Sequence, residues 1–182
     1  AFTADIRQAY NTIKLQPEYY RYQKMLWREG LSGEGELEKL CVRTLIYGVK
    51  PSGQLTAHGF NIVADVAEED DSDLKPGSDV LRSKTYVDDL LPSFSTVEER
   101  DVAAESLIKV LDYGSMNVKS ITKSGSPPDE NVSVDGVHCG LVGYRWDSGQ
   151  DLIGLIVKPL YLGKCKRGRL PSLVEGDIAA AL

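Results

Sequence analysis

The sequence is poor in the residues that build disulfide frameworks and zinc sites. Among 182 residues it has three cysteines and two histidines. Cys41, Cys139 and Cys165 lie far apart and form no CxxC pair, so neither a disulfide framework nor a zinc site is expected. Reduced thiols are the simplest expectation, and they favour an intracellular compartment.

Long apolar runs are also missing. A membrane-spanning helix needs about 20 predominantly apolar residues, whereas the longest stretches here, such as 152–157, have the length of a strand. No secretory signal is visible, the chain begins at Ala1 rather than Met, and it stops within 178–182, which resembles an unfinished helix. We therefore expect no membrane partner, and we interpret the chain as a piece of a longer polypeptide.

Basic residues are outnumbered, since 21 Lys+Arg stand against 27 Asp+Glu and give a formal charge of −6. An acidic chain argues against a nucleic-acid surface, because phosphates are neutralised by Lys and Arg. Eight of the acids belong to two local features, namely the five in the block 68–73 and three separate aspartates described below. Without these eight, 19 acidic residues face 21 basic ones, so net charge does not exclude nucleic acid.

The order of predicted elements indicates an α+β fold with a mainly antiparallel sheet. The acidic block 68–73 and Pro76-Gly77 are predicted to form loops. A capping box is expected from Ser95 with Glu98 or from Thr96 with Glu99. The predicted strands are 1–5, 22–28, 40–46, 118–123, 132–134, 137–146 and 152–157, and the predicted helices are 52–67 (apolar positions Leu55, Phe60, Ile62, Val63 and Val66) and 96–113 (apolar positions Val97, Ala104, Leu107, Ile108 and Leu111).

Two adjacent carboxylates, Asp88 and Asp89, stand between short apolar arms at the tip of a predicted hairpin. They could simply occupy a turn, although Asp-Gly or Asn-Gly would suit it better. Alternatively, their mutual repulsion is offset by divalent cations, since carboxylate oxygens suit Mg²⁺. Asp5 ends the first strand, and it would join them if that strand lies beside the hairpin. Three carboxylates can hold two Mg²⁺ ions about 3.5–4 Å apart.

Several segments together resemble a known family. They are Asp5–Tyr10 (DIRQAY), Met25–Arg28 (MLWR), Tyr47–Ser52 (YGVKPS), Tyr86–Asp89 (YVDD) and Leu141–Asp147 (LVGYRWD). In order and spacing they are similar to the motif series of a reverse transcriptase palm, in particular that of BEL/Pao-type LTR retrotransposons. The Tyr-x-Asp-Asp motif alone would be weak, but the ordered series over about residues 1–165 is specific.

The resemblance implies a polymerase palm with a ferredoxin/RRM-like core, truncated, whose antiparallel sheet carries helices on one face. Residues 1–157 would form the palm, with a fingers portion at about 13–46, and 158–182 would be a basic connector and the start of a truncated C-terminal segment. The implied activity is RNA-directed DNA polymerisation, in which a primer 3′-hydroxyl attacks a dNTP with two Mg²⁺ ions, or Mn²⁺ in their place. The implied partners are an RNA template, a DNA primer and the remaining fingers, thumb and RNase H of a pol polyprotein, within a cytoplasmic virus-like particle.

The resemblance also implies roles for individual residues. Asp5, Asp88 and Asp89 would be metal ligands, with the carbonyl of Ile6 as a further ligand. Lys119 would protonate pyrophosphate, although Lys123 lies close in sequence. The substrate-binding positions would be the amides of Gln8 and Ala9 on the triphosphate, Tyr10 as the steric gate against a ribose 2′-hydroxyl, and Tyr47 and Gly48 beside the nucleotide and template.

Two further interpretations stay open. The chain could be a decayed or co-opted fragment that binds nucleic acid or protein without catalysis, and even as a polymerase palm it should polymerise poorly without fingers and thumb. An RRM-like RNA-binding module would share the α+β architecture. It would need aromatic residues that stack bases on central strands, where Asp88 and Asp89 stand instead.

Overall fold

The computed structural model describes residues 1–30, 35–128, 133, 138–141 and 144–155. The basic stretch 158–169 and the whole predicted segment 158–182 lie outside the described residues, as does most of the predicted strand 132–134. The elements in chain order are β1 (Phe2–Ile6), α1 (Ala9–Thr12), a 3-10 helix (Pro17–Tyr22), β2 (Lys24–Arg28), β3 (Leu37–Cys41), α2 (Ser52–Asp70), a 3-10 helix (Ser72–Leu74), α3 (Lys75–Ser83), β4 (Thr85–Tyr86), β5 (Asp89–Leu90), α4 (Val97–Tyr113), β6 (Val118–Lys123), β7 (His138–Leu141), β8 (Tyr144–Asp147) and β9 (Leu152–Leu155).

A four-stranded antiparallel sheet in the order β4-β5-β1-β6 forms the centre of the fold. In β1, Phe2, Ala4 and Ile6 are buried in the core, while Asp5 alternates to the other face of the strand. A ribbon of β2 and β3 and a second sheet of β7, β8 and β9 complete the strands of the described part. The predicted α+β class with antiparallel pairing is therefore confirmed.

Helices α2, α3 and α4 pack together and share one core with β1. Large side chains such as Phe60, Leu81 and Leu107 fill it, and alanines lie where the helices approach closely. Burial of this apolar surface is the main source of stability for such a layered domain. The other buried core residues are Ala9, Ala64, Ala67, Leu74, Val80, Leu90, Ala103, Ala104, Val110, Leu111 and Met116.

The predicted apolar face of α2 is partly wrong. Leu55, Ile62 and Val66 are each more than two-fifths exposed. The buried positions besides Phe60 are small, namely Ser52, Thr56, Ala64 and Ala67. Small residues allow α3 and α4 to pack closely against this helix. The buried face of α2 is therefore marked by small side chains as much as by hydrophobic ones. In α4, likewise, Val97 and Ile108 are exposed, whereas Ala103 and Val110 are buried.

The predicted loops at 68–73 and at Pro76-Gly77 are also wrong. Helix α2 continues to Asp70, and Asp71 caps a short 3-10 helix by accepting a hydrogen bond from the Asp73 amide (3.0 Å). Pro76 lies in the first turn of α3, where its missing N–H has no intrahelical partner to lose. The acidic end of α2 is partly neutralised by Arg82, which bridges Asp65 and Glu68.

The N-terminus of α4 agrees with one of the two predicted capping boxes. The Thr96 hydroxyl accepts a hydrogen bond from the Glu99 amide (3.1 Å), and the Glu99 carboxylate accepts one from the Ser95 amide (3.2 Å). These contacts satisfy backbone donors that the first turn of a helix leaves free.

Among the described helices, none is long and apolar enough to cross a membrane.

Candidate functional site

Asp5 and Asp89 lie directly opposite each other on adjacent antiparallel strands. The Ile6 amide donates to the Asp88 carbonyl (3.1 Å), and the Phe2 amide donates to the Pro92 carbonyl (3.2 Å). This hydrogen-bond pattern makes Asp5 and Asp89 a non-hydrogen-bonded pair, in which Cα atoms are about 4.5 Å apart. Two carboxylates therefore stand side by side on the face of β1 that points away from its buried side chains.

The turn between β4 and β5 brings Asp88 next to this pair. It consists of only two residues, Val87 and Asp88. Val87 has φ +62°, a left-handed conformation that is unfavourable for a β-branched side chain. Strain of this kind costs about 1–3 kcal/mol and persists where the surrounding structure imposes it. No sequence signal marked Val87, because glycine or asparagine is the usual choice at such a position.

The carboxylates perturb one another electrostatically. The pKa of Asp89 is raised above its ordinary value, first by burial and then by the negative charges of Asp88 and Asp5, while Lys119 acts in the opposite direction. Like charges placed opposite each other in a sheet are destabilising. The arrangement therefore favours a positive charge beside it.

Lys119 supplies such a charge through a β-bulge. The register of β1 and β6 runs regularly as far as Asp5 opposite Ser120 and then shifts, so that Ile6 lies opposite Val118 and Lys119 is the extra residue. A bulge bends a strand and redirects the side chain of its extra residue. The Lys119 ammonium donates to the Asp5 carboxylate (3.0 Å), and this contact raises the lysine pKa.

Lys123, the alternative in the sequence, has a different environment. Its ammonium donates to Asp101 of α4 (2.8 Å), on the helix side of the sheet. Asp101 also binds Arg100, and both contacts lower the pKa of the Asp101 carboxyl. Only Lys119 of the two lysines therefore contacts the aspartate cluster.

Tyr10 and Tyr47 lie together beside the carboxylates. Their ring centroids are 4.3 Å apart, Tyr10 is buried, and Tyr47 is largely exposed. Although most of Tyr47 is exposed, partial desolvation is the first cause that raises its pKa, followed by the electrostatic influence of Asp88, Tyr10 and Asp5. The aromatic pair thus forms a wall next to the aspartates.

The backbone before and after these tyrosines has special conformations. Gln8 adopts φ +53° just before the short helix α1, and Gly48 adopts φ +84°. The Gln8 carbonyl accepts a hydrogen bond from the Asn11 amide (2.8 Å). Ala9 is buried under this turn. Of the ten residues predicted for the site, Gln8 is the N-cap of α1. The other nine belong to β1, α1, the 47–48 turn, the β4–β5 hairpin and the bulge.

The cleft at the aspartates also involves β7, which the sequence did not assign to the site. Thr3, Asp5, Asp89 and Ser120 line the cleft together with Cys139, Gly140 and Leu141. The pKa of the buried Cys139 thiol is raised by burial. The second sheet therefore lies against the acidic face. The sequence pattern predicted its strands at 137–146 and 152–157, but it did not predict that they lie beside the aspartates.

The donor chemistry of the site fits a hard divalent cation, because three carboxylates and neighbouring carbonyls supply oxygen ligands only. Within the described ranges, no three His, Cys, Asp or Glu side chains are gathered closely enough to hold a metal ion as they stand. Instead, the Lys119 ammonium contacts Asp5. A cation at this cluster would thus compete with Lys119 for the Asp5 carboxylate.

This competition gives a prediction for Lys119→Met, which removes the ammonium and keeps an unbranched side chain only one heavy atom shorter. In metal-free solution we expect lower thermal stability, because three carboxylates then repel one another without a neighbouring cation. We also expect Mn²⁺ to bind several-fold more tightly, since no ammonium has to be displaced from Asp5. Calorimetry would measure the thermal stability, and paramagnetic line broadening would measure the Mn²⁺ affinity. Lys109→Met, at an exposed position of α4, is the control. Unchanged Mn²⁺ affinity would contradict the competition.

Comparisons with known proteins leave the family unassigned. No protein-family model matches the chain, and no curated protein is significantly similar to it. Any functional assignment therefore depends on the residues and their geometry.

Proposed function

We propose that this chain is the palm part of an RNA-directed DNA polymerase of the BEL/Pao retrotransposon type. The observation that supports it most is the pairing of Asp5 with Asp89 at the strained β4–β5 hairpin, which also carries Asp88. Three of the other sequence motifs have a residue beside the aspartates of this hairpin, namely Asp5, Tyr47 and Leu141. An incidental acidic turn would not require the Tyr10–Tyr47 wall and the bulged Lys119 beside it.

Each group has a distinct role in the proposed reaction. Asp5, Asp88 and Asp89 would hold two Mg²⁺ ions, which when bound supply activation of the primer hydroxyl and stabilisation of the departing pyrophosphate. Tyr10, packed against Tyr47 and buried, would limit the space beside the sugar of a bound nucleotide. Lys119 Nζ, released from Asp5, would donate a proton to the pyrophosphate. RNA template, DNA primer and dNTP are the proposed partners.

The contact between Tyr10 and α2 bears on the proposed steric gate. A Cβ atom at Gly53 would lie 3.5 Å from the Tyr10 hydroxyl oxygen, so the tyrosine packs closely on the N-terminus of α2. A ring held from two sides cannot swing away easily when a 2′-hydroxyl approaches. The proposed gate thus depends on the contacts that hold Tyr10 in place as well as on the size of its ring.

The non-catalytic alternative has one supporting observation. The Lys119–Asp5 ion pair neutralises part of the acidic cluster in the absence of metal, and a protein that had lost catalysis could retain it. In that case the fold would be kept as a binding module for nucleic acid or protein. The palm-exchange experiment described next distinguishes this alternative from the catalytic proposal.

The test is to place this palm in a complete reverse transcriptase in exchange for its own palm, and to measure primer extension on an RNA template. Extension should require Mg²⁺, should stop with EDTA and should prefer dNTPs to rNTPs. The control exchange carries Asp79→Asn, which changes an exposed acid on α3. A folded exchange protein that extends primers no better than its Asp5→Asn version would contradict the catalytic proposal and favour the binding module.

A further inference from the structure

A groove of about 620 Å³ lies between α3, α4 and the segment that joins β5 to α4; we call it the α3–α4 groove. Both helices share a core with the buried face of β1, whereas Asp5 alternates to the opposite face of this strand. The groove is therefore on the other side of the sheet from the aspartate cluster, and the proposed reaction does not use it. Its volume is in the range of protein ligand sites, about 300–1,000 Å³.

The floor of the groove is apolar. Val80 and Ala103 are buried, and Val102 is 56% exposed. Phe94 is partly buried and stacks on Phe2 of the core, with the ring centroids 5.8 Å apart. The apolar lining residues are Pro76, Val80, Pro92, Phe94, Val102 and Ala103. Because this floor belongs to the packed core, it is a preformed surface for the apolar side chains of a ligand.

Charged side chains line both sides of the groove. They are Lys75, Asp79 and Lys84 on the α3 side and Glu98 and Glu99 on the α4 side. The Lys75 ammonium is already paired with Asp79 (3.0 Å) and Glu68 (3.7 Å). Among the described residues, neither Glu98 nor Lys84 has a side-chain partner. The groove thus has one more acid than base, and acids lie on both sides of its apolar floor.

The acidic character extends over the whole helical layer. Outside the β4–β5 hairpin, residues 52–113 contain 12 acidic residues and five basic ones. The basic residues are Lys75, Arg82, Lys84, Arg100 and Lys109. Of these, Arg82 is paired with Asp65 and Glu68, and Arg100 is paired with Asp101. The rest of the chain has 15 acidic and 16 basic residues. The negative charge of the chain therefore belongs to the helical layer, which attracts cations and repels phosphate.

We propose that the α3–α4 groove binds a basic amphipathic helix of a partner protein. Such a helix lays its apolar face into a hydrophobic groove, and acids on both sides of the floor suit Lys and Arg at both edges of that face. The α3 lining runs from Lys75 to Ser83, which is about 12 Å or two turns of a bound helix at 1.5 Å per residue. The groove and the aspartates lie on opposite faces of the sheet, so this proposal holds whether or not the aspartates are catalytic.

The first test measures binding of a fluorescent peptide to the whole chain by anisotropy. The peptide has about 14 residues, only Leu and Lys, with the leucines on one helical face; a second peptide has Glu in place of Lys. Val102→Ser should weaken binding of the Leu/Lys peptide by about 5- to 15-fold, because the apolar contact of its methyl groups is lost. Val97→Ser is the matched control, since Val97 is also 56% exposed on α4 but does not line the groove.

The second test addresses the charge of the groove. Glu98→Lys should weaken binding of the Leu/Lys peptide by about 3- to 10-fold at low salt, because it places a cation where a peptide lysine is expected. Added salt should reduce this effect. Asp112→Lys is the control, since it makes the same change of charge at an exposed position of α4 that lies about 21 Å further along the helix.

The outcomes decide between this partner and other occupants of the groove. The proposal would be overturned if the Leu/Glu peptide binds as tightly as the Leu/Lys peptide, or if Val102→Ser and Glu98→Lys bind as their controls do. Light scattering of the chain alone should show a monomer. A dimer that Val102→Ser converts to a monomer would overturn the proposal in favour of a second copy in the groove. Asp88→Asn should leave peptide binding unchanged, so failure of this proposal and failure of the catalytic one are distinguishable.

Discussion

Asp88→Asn is expected to abolish nucleotide addition by an active polymerase that contains this palm, with a loss of several orders of magnitude. The amide has nearly the same size as the carboxylate, so packing at the hairpin tip is preserved. It lacks the negative charge that holds a cation in the transition state. Single-turnover primer extension in Mg²⁺ would measure the loss, with Asp79→Asn as the control.

A second measurement distinguishes loss of function from loss of structure. Asp88 is one of the charges that raise the pKa of Asp89, so its removal should lower the pKa of Asp89. The repulsion within the cluster also falls, and the metal-free variant should therefore be at least as stable as the parent chain. Sites that conflict with stability in this way are typical of function. If the Asp88→Asn variant extends primers at the parental rate, Asp88 is not a catalytic metal ligand.

The approach of the aspartates could be predicted from the sequence because it depends on simple alternation. Phe2, Ala4 and Ile6 are apolar, so Asp5 had to point to the other face of β1. The short apolar arms around Asp88 and Asp89 indicated a hairpin that could pair with this strand. The alternation of apolar and polar residues along a strand is its strongest sequence signal, because it determines which side chains face the core.

The family resemblance placed Lys119 at the site, but its contact with Asp5 could not be predicted from the strand pattern, because a bulge breaks this alternation. In a regular strand, Lys119 and Lys123 would project from the same face of β6. Lys123 does point toward α4, where it contacts Asp101. The extra residue in the register redirects Lys119 to Asp5 on the opposite face. Nothing in the local sequence of β6 marks this irregularity.

Helix α3 was missed for a related reason. Pro76 and Gly77 form a dipeptide that usually marks a turn, yet each suits its position in this helix. Pro76 lies in the first turn, and Gly77 faces Ser106 and Leu107 of α4. The need for a residue without a side chain is set by a helix that comes about thirty positions later in the sequence. Local patterns cannot contain that information.

Gly77→Ala is therefore expected to lower the free energy of unfolding by about 1–3 kcal/mol or more. In an isolated helix this change would stabilise by about 1 kcal/mol. Here the added Cβ would overlap the Leu107 backbone nitrogen and would lie 2.7 Å from the Leu107 Cα. Backbone atoms cannot move aside as a flexible side chain can, so α3 would have to separate from α4.

Two controls isolate this steric effect in urea unfolding experiments. The Gly77 amide donates to the Ser106 hydroxyl, which donates in turn to the Leu74 carbonyl (3.0 Å each). Ser106→Ala removes these hydrogen bonds without adding volume. Gly154→Ala adds a methyl group in open space and should change stability by less than about 0.5 kcal/mol. If Gly77→Ala behaves like Gly154→Ala, α3 and α4 do not pack as closely as described, and the sheet loses the rigid helical support that holds Asp5 opposite Asp89.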